Sequence, residues 1–315
     1  MCVYLPAEGT AFCRFIKTSV MFTVISRKAL AKDISLIEVF APRISAAILP
    51  GQYIEVKPSA ALPYLAVPVV KVNATTGTLT FMVQAVERTG SLLVNDPGIS
   101  IFENISGPVG KPSLLTECND PELKSANFLF VAGGLGVASA MAQISWLRKI
   151  GAQADVLLEA DTQASLLLKD EFEKICRNVY LATADGSLGF HGSAAQLLTM
   201  LPHEQVKAYD LITVFGPMKM MKQISDFTLS HGIPATAGFV EILTSAGLTS
   251  FRLDVSGIAA EVSVSGPEFN AHLVDFDHAI SRASISVKTS DESADVIKLK
   301  GLPPQKTEGA LPRQA

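Results

Sequence analysis

With 315 residues and 33.5 kDa the chain is long enough for about two domains, and 48% hydrophobic against 18% charged residues excludes global disorder. A formal charge of -4 and a pI near 5.8 leave no basic field to gather phosphate backbones, so nucleic acid is not expected as a partner. Apolar runs at residues 60–70, 128–132 and 211–215 fall well short of the ~20 residues of a membrane span, and none is expected.

Residues 1–20 form an N-terminal extension without the continuous apolar core of a signal peptide, because Pro6, Glu8 and Arg14 interrupt it. They read either as a functional arm or as sequence ahead of a translation start at Met21. From Met21 onward, β-branched and aromatic runs at residues 21–25, 35–40, 53–56, 66–72 and 77–83 alternate with Pro and Gly punctuation. That spacing predicts a small antiparallel β-barrel over residues 21–117, with the polar stretch 117–123 as the link to a second domain.

The pattern then changes to strands at 128–132, 155–158, 179–183 and 211–215, interleaved with helices at 138–149, 165–175, 193–200 and 220–231. Repeats of this size predict an α/β domain with a doubly wound parallel sheet over residues 124–240. Residues 241–282 carry no clear period, and 283–315, polar with Pro303, Pro304 and Pro312, read as a mobile tail.

Gly133, Gly134 and Gly136 lie between the strand at 128–132 and the next helix, where glycines allow a tight turn and let a pyrophosphate approach the helix N-terminus. Such a turn also occurs for geometry alone. Asp185, Gly186 and Ser187 follow the strand at 179–183, placed either to bond a ribose or a nicotinamide amide or simply to make an Asp-Gly turn. Gly216 and Pro217 repeat the arrangement after the next strand, in position to support a nicotinamide from below, while Met220 and Met221 read as core. Asp161 lies just beyond the second strand of the module, as an acceptor for ribose hydroxyls or as part of a solvated acidic loop.

The four cysteines, Cys2, Cys13, Cys118 and Cys176, are scattered, without disulfide-framework or zinc spacing, which makes a reducing cytoplasm the simplest compartment. The five histidines include no i, i+4 pair and no G-x-S-x-G elbow occurs, so metal-site and hydrolase readings fall away.

Taken in order, the barrel, Gly107 to Pro112, the Gly133–Gly136 turn, Asp185 to Gly189, residues 215–221 and Gly266-Pro267-Glu268-Phe269 resemble the ferredoxin–NADP reductase superfamily. Within it the spacing is most similar to the sulfide dehydrogenase and dihydroorotate dehydrogenase electron-transfer subunits and to the small subunit of NADH-dependent ferredoxin:NADP oxidoreductase. The resemblance implies FAD on the barrel, NAD(P)H on the α/β domain, a 2Fe–2S cluster near the C-terminus and a larger oxidoreductase subunit as partner.

Carried over residue by residue, that chemistry is uneven. The family's flavin motif, Arg-x-Pro followed two residues on by Ser or Thr, appears as residues 61–65, with Pro63 kept but Ala61 and Leu65 at the charged and hydroxyl positions. Its second flavin element keeps Thr89 but places Glu87 where phosphate would approach, so FAD binding is expected to be weakened. Residues 244–252 and Ser263 match the cluster motif without a single thiolate, so no cluster and no metal are expected. Asp161 stands where the family has a basic residue, which implies NADH over NADPH. The expected function is a divergent electron-transfer subunit of an NAD(P)H- and flavin-dependent oxidoreductase; the alternative is a catalytically silent structural or regulatory subunit.

Overall fold

The computed structural model describes residues 22–245 and 251–283, so the N-terminal extension and the expected tail from residue 284 lie outside the described residues. β-Branched and aromatic side chains at alternating positions suit a pleated, half-buried surface, and the first part of the chain forms seven strands. These are β1 (Phe22–Ala31), β2 (Ile34–Phe40), β3 (Tyr53–Lys57), β4 (Leu65–Asn73), β5 (Thr78–Gln84), β6 (Ile101–Phe102) and β7 (Asn104–Val109), with helices α1 (Pro42–Ala47) and α2 (Glu87–Asn95) inserted. All pairings are antiparallel in the order β6-β1-β2-β5-β4-β3-β7. The two edge strands β6 and β7 are separated only by Glu103, so one stretch of chain pairs both edges and nearly closes the sheet into the expected barrel.

The residues expected as a polar link carry a 3₁₀ turn at Leu114–Glu117 and the short α3 (Asp120–Ser125), which a reciprocal Asn119–Glu122 capping box starts. Beyond it come β8 (Phe128–Gly133), α4 (Gly136–Ile150), β9 (Ala154–Ala160), α5 (Lys169–Glu173), β10 (Val179–Thr183), β11 (Phe190–His191), α6 (Ala194–Met200), α7 (His203–Lys207), β12 (Leu211–Phe215), α8 (Met218–His231) and β13 (Ala235–Gly238). The helix expected at 165–175 is shorter, because Leu168 adopts φ 56 and separates a 3₁₀ turn from α5. The untyped segment resolves into α9 (Val240–Ser245), the hairpin β14 (Arg252–Val255) and β15 (Ile258–Glu261), α10 (Val262–Ser265) and β16 (Glu268–Asn270).

The second sheet runs β11-β10-β9-β8-β12-β13-β16, parallel except for β16. Successive strands leave β8 toward β11 on one side and then return to its other side with β12. The strand order therefore reverses between β8 and β12, the place where open α/β sheets form a ligand crevice at their C-terminal edge.

The two sheets meet across β4. Its alternate residues Leu65, Val67 and Val69 join the barrel core, while Ala66 packs with the core around β13 and α9, and Val70 with the core around α4. Across the barrel wall Ile34 and Met82 likewise face the α4 side.

At the opposite, N-terminal edge of the parallel sheet, the buried Asp155 accepts two bonds from Arg177 at 2.9 and 3.0 Å and one from the Tyr209 hydroxyl at 2.7 Å. Burial alone raises its pKa, but the bonds from Arg177, Tyr209 and Asn178 outweigh that and hold the carboxyl below its usual range. Asp155→Asn is expected to lower stability by about 2 kcal/mol, less than the ~3–5 kcal/mol of a fully buried pair because Arg177 reaches solvent. A depressed carboxylate stabilises the fold above its unfolded pKa and loses that contribution as pH falls through the folded value. Urea titrations at neutral and acid pH should therefore show the two proteins converging below about pH 4.

Candidate functional site

The C-terminal ends of β8, β9 and β12 lie side by side, with Gly133 paired to Glu159 and Ala132 to Phe215. The structure brings Gly133, Gly134, Gly136, Gly216 and Pro217 together at this switch point. Gly134 takes a left-handed φ of +54 that favours glycine. Gly136 also serves packing: a Cβ there would overlap the Phe215 main chain, so the glycine lets α4 start against the end of β12. Met220 packs beside the turn, its Sδ and Cε 3.2 and 2.5 Å from where Cβ atoms on Gly133 and Gly216 would be, and is core as expected. Pro217 caps α8, where its missing N–H costs no helical bond.

A residue the sequence analysis missed occupies the start of α4. The Gly136 amide donates to Glu241 Oε2 at 3.2 Å, and Glu241 Oε1 lies 2.7 Å from where a Cβ on Gly134 would be. Burial pushes the Glu241 carboxyl up to about 7, against the opposing pull of the Gly136 and Leu135 amides. A glutamate inside the apolar run Phe239-Val240-Glu241-Ile242-Leu243 was the available signal.

Asp161, Asp185, Gly186 and Ser187 form a second group further along the same edge. The Asp185 amide donates to the Asp161 carbonyl at 3.1 Å, tying the two loops, while the Asp161 side chain stands exposed. The Asp185 carboxylate accepts from the Ser187 hydroxyl at 2.6 Å and amide at 2.9 Å, which holds its pKa below the usual range. Ser187 Oγ in turn accepts from the Gln163 amide at 2.7 Å. Between the groups, burial raises the pKa of Glu159, whose carboxylate accepts from the Ala194 amide.

On the barrel the structure brings Pro63 and Thr89 together, but not as a cradle. Pro63 is exposed, and the buried Thr89 hydroxyl donates to the Pro63 carbonyl at 3.2 Å. Residues 87–91, matched to the second flavin element, form the first part of α2, and a Cβ on Gly90 would overlap the Gln84 carbonyl, so this glycine serves packing. Leu65 faces the barrel core, Ala61 is exposed, and Lys57, over the Tyr64 ring at 5.6 Å, pairs with Glu103 at 3.8 Å. Position 61 thus offers no cation, and the Leu65 side chain and the Thr89 hydroxyl are taken up by the barrel's own packing and hydrogen bonding.

Of the residues matched to a cluster motif, 246–250 lie outside the described residues. Phe251 and Leu253 are buried, and Ser263 donates to Glu261 at 3.1 Å. Among the described residues no group of three or more His, Cys, Asp or Glu is arranged to hold a metal, and no helix is long and apolar enough to cross a membrane.

No protein-family model matches the chain. It is 32% identical over 279 residues to an uncharacterized protein in the adh 3' region of Clostridium beijerinckii, covering 88% of this chain and 94% of that one. Over 262 residues it is 27% identical to a dihydroorotate dehydrogenase B (NAD(+)) electron transfer subunit homolog of Thermotoga maritima, covering 82% of this chain and 89% of the relative. In fold it matches the NADH-dependent reduced ferredoxin-NADP oxidoreductase structure with a TM-score of 0.72 and 24% identity, over 86% of this chain and 97% of that one. A ferredoxin NADP+ reductase of Neisseria gonorrhoeae, solved with FAD and NADP, gives 0.52 and 15% over 70% and 98% of the two chains.

A near-closed antiparallel barrel abutting a parallel sheet with a glycine-lined switch point defines a ferredoxin-reductase-like protein. The chain belongs to the ferredoxin-reductase-like electron-transfer subunit superfamily, in the family of flavin- and NAD-dependent oxidoreductases.

Because a Cβ at position 136 would overlap main chain, Gly136→Ala should lower unfolding free energy by about 2 kcal/mol or more in urea titration without any nucleotide present.

Proposed function

We propose that this chain is the nicotinamide-nucleotide-facing subunit of an oxidoreductase complex, binding NADH at the β8/β12 switch point and serving a larger partner subunit that carries the flavin. The observation that supports this most is the meeting of the Gly133–Gly136 turn with Gly216-Pro217 where the strand order reverses. When bound, the reduced nicotinamide would supply a hydride; the protein supplies placement. Here Gly134 admits the backbone to the pyrophosphate and the first amides of α4 orient it. Asp161, exposed at the end of β9, accepts the adenosine ribose hydroxyls and repels a phosphate at that position. Asp185 and Ser187 lie along the same edge, toward the ribose or the nicotinamide amide, and Pro217 supports the ring. In this reading residues 21–117 and 124–240 are the two functional units, with 241–282 closing over them.

A second reading, a silent subunit that keeps the fold to hold its partner, draws on the barrel, where Leu65 and Thr89 are buried and Pro63 and Thr89 bond each other. The visible spectrum of the purified chain, alone and with its partner, separates the two. Flavin bands that bleach with NADH only in the complex support the first reading, and a complex without flavin or NADH oxidation supports the second.

Calorimetric titration should show NADH binding more tightly than NADPH, and Asp161→Arg should narrow or invert the preference. Tighter NADPH binding by the natural sequence would remove Asp161 from the ribose.

A further inference from the structure

At the C-terminal edge of the parallel sheet, three backbone amides are taken by the chain's own acidic side chains. Glu159 takes the Ala194 amide and Asp185 takes the Ser187 amide, but both lie to the side of the switch point. Glu241 is different. It comes from the turn after β13, 105 residues beyond Gly136, and places its carboxylate on the first amide of the 15-residue helix α4. One oxygen accepts from Gly136 while the other stands 2.7 Å from where a Cβ on Gly134 would be. This is the space that the missing Gly134 side chain leaves at the turn.

We propose that Glu241 is an internal competitor for the nucleotide pyrophosphate: its carboxylate occupies the phosphate cradle of the free protein and must leave before a dinucleotide can bind. The inference rests on the nucleotide-binding reading above. A phosphate and the Glu241 carboxyl cannot both take the Leu135 and Gly136 amides, because they would occupy one acceptor position, and with Glu241 ionised the like charges repel as well. Until it leaves, Glu241 keeps the buried amides at the start of α4 bonded and so stabilises the empty site. It thereby sets a threshold on affinity that a neutral residue of the same shape would lower.

The test is calorimetric titration of the full-length protein, its Glu241→Gln variant and its Glu241→Asp variant with NADH, and in parallel with inorganic pyrophosphate, which needs only the cradle. The glutamine variant should bind NADH at least about tenfold more tightly than the natural sequence, since a charged competitor is replaced by a neutral one. The aspartate variant keeps the charge but is one methylene too short to hold the Gly136 amide; it should fall between the two, and it carries the test should the glutamine variant not fold. Equal or weaker NADH binding by the variants overturns the proposal, because a residue that merely orders the turn would bind ligand less well when altered. If no form binds NADH but the variants take up pyrophosphate that the natural sequence refuses, the nucleotide reading falls and the competitor role stands. If neither ligand binds any form, both fall.

Discussion

Strand β4 is buried on both faces, and most of the molecule's organisation depends on that burial. Leu65, Val67 and Val69 fill the barrel while Ala66 and Val70 meet the parallel-sheet side, so a single strand belongs to three apolar clusters. Side chains in a strand alternate in direction, and a strand with apolar residues at every position must have a partner on each side. The contact holds the barrel against α4 and α9, the elements that carry the Gly136 amide and the Glu241 carboxylate. Packing at the seam and the contents of the cradle are therefore parts of one arrangement.

Solved proteins of this fold include one with bound FAD and NADP, and in this chain the barrel and the edge of the parallel sheet fill their corresponding positions in different ways. In the barrel, apolar residues have taken positions where a cofactor would require charge or hydroxyl, and Leu65 is packed into a core that a polar replacement would disturb. At the parallel sheet the glycines and the strand order remain, and the change is electrostatic. Acidic side chains satisfy amides there by hydrogen bonds, and a side chain can exchange such a bond for a ligand far more readily than a core can reopen.

The division between a β-rich first half and an alternating second half was legible in the sequence because it rests on local periodicity, and so was the placement of Gly133–Gly136 between a strand and a helix. Features set by distant contacts were not legible. Glu241 acquires its meaning only from an amide 105 residues away. Gly136 looked like a glycine for phosphate, yet its lack of a side chain is required by the Phe215 main chain. Residues 87–91, matched to the family's second flavin element, instead begin α2, where Gly90 allows close approach to the Gln84 carbonyl. The break at Leu168 had no sequence signal, since leucine is a poor candidate for a positive φ.

The late strand β16 returns to the sheet after the hairpin and pairs antiparallel with β13, while the Lys111 amide donates to the Gly266 carbonyl just before it. Without that strand the polar backbone of Ala235–Gly238 would be presented along an open edge, a template for another chain to pair with. The return of the chain thus acts as a selvedge: it keeps a short, small-residue strand from recruiting neighbours once the chain is folded, and it leaves that edge open until residues that come after the whole of the parallel β/α succession have been made.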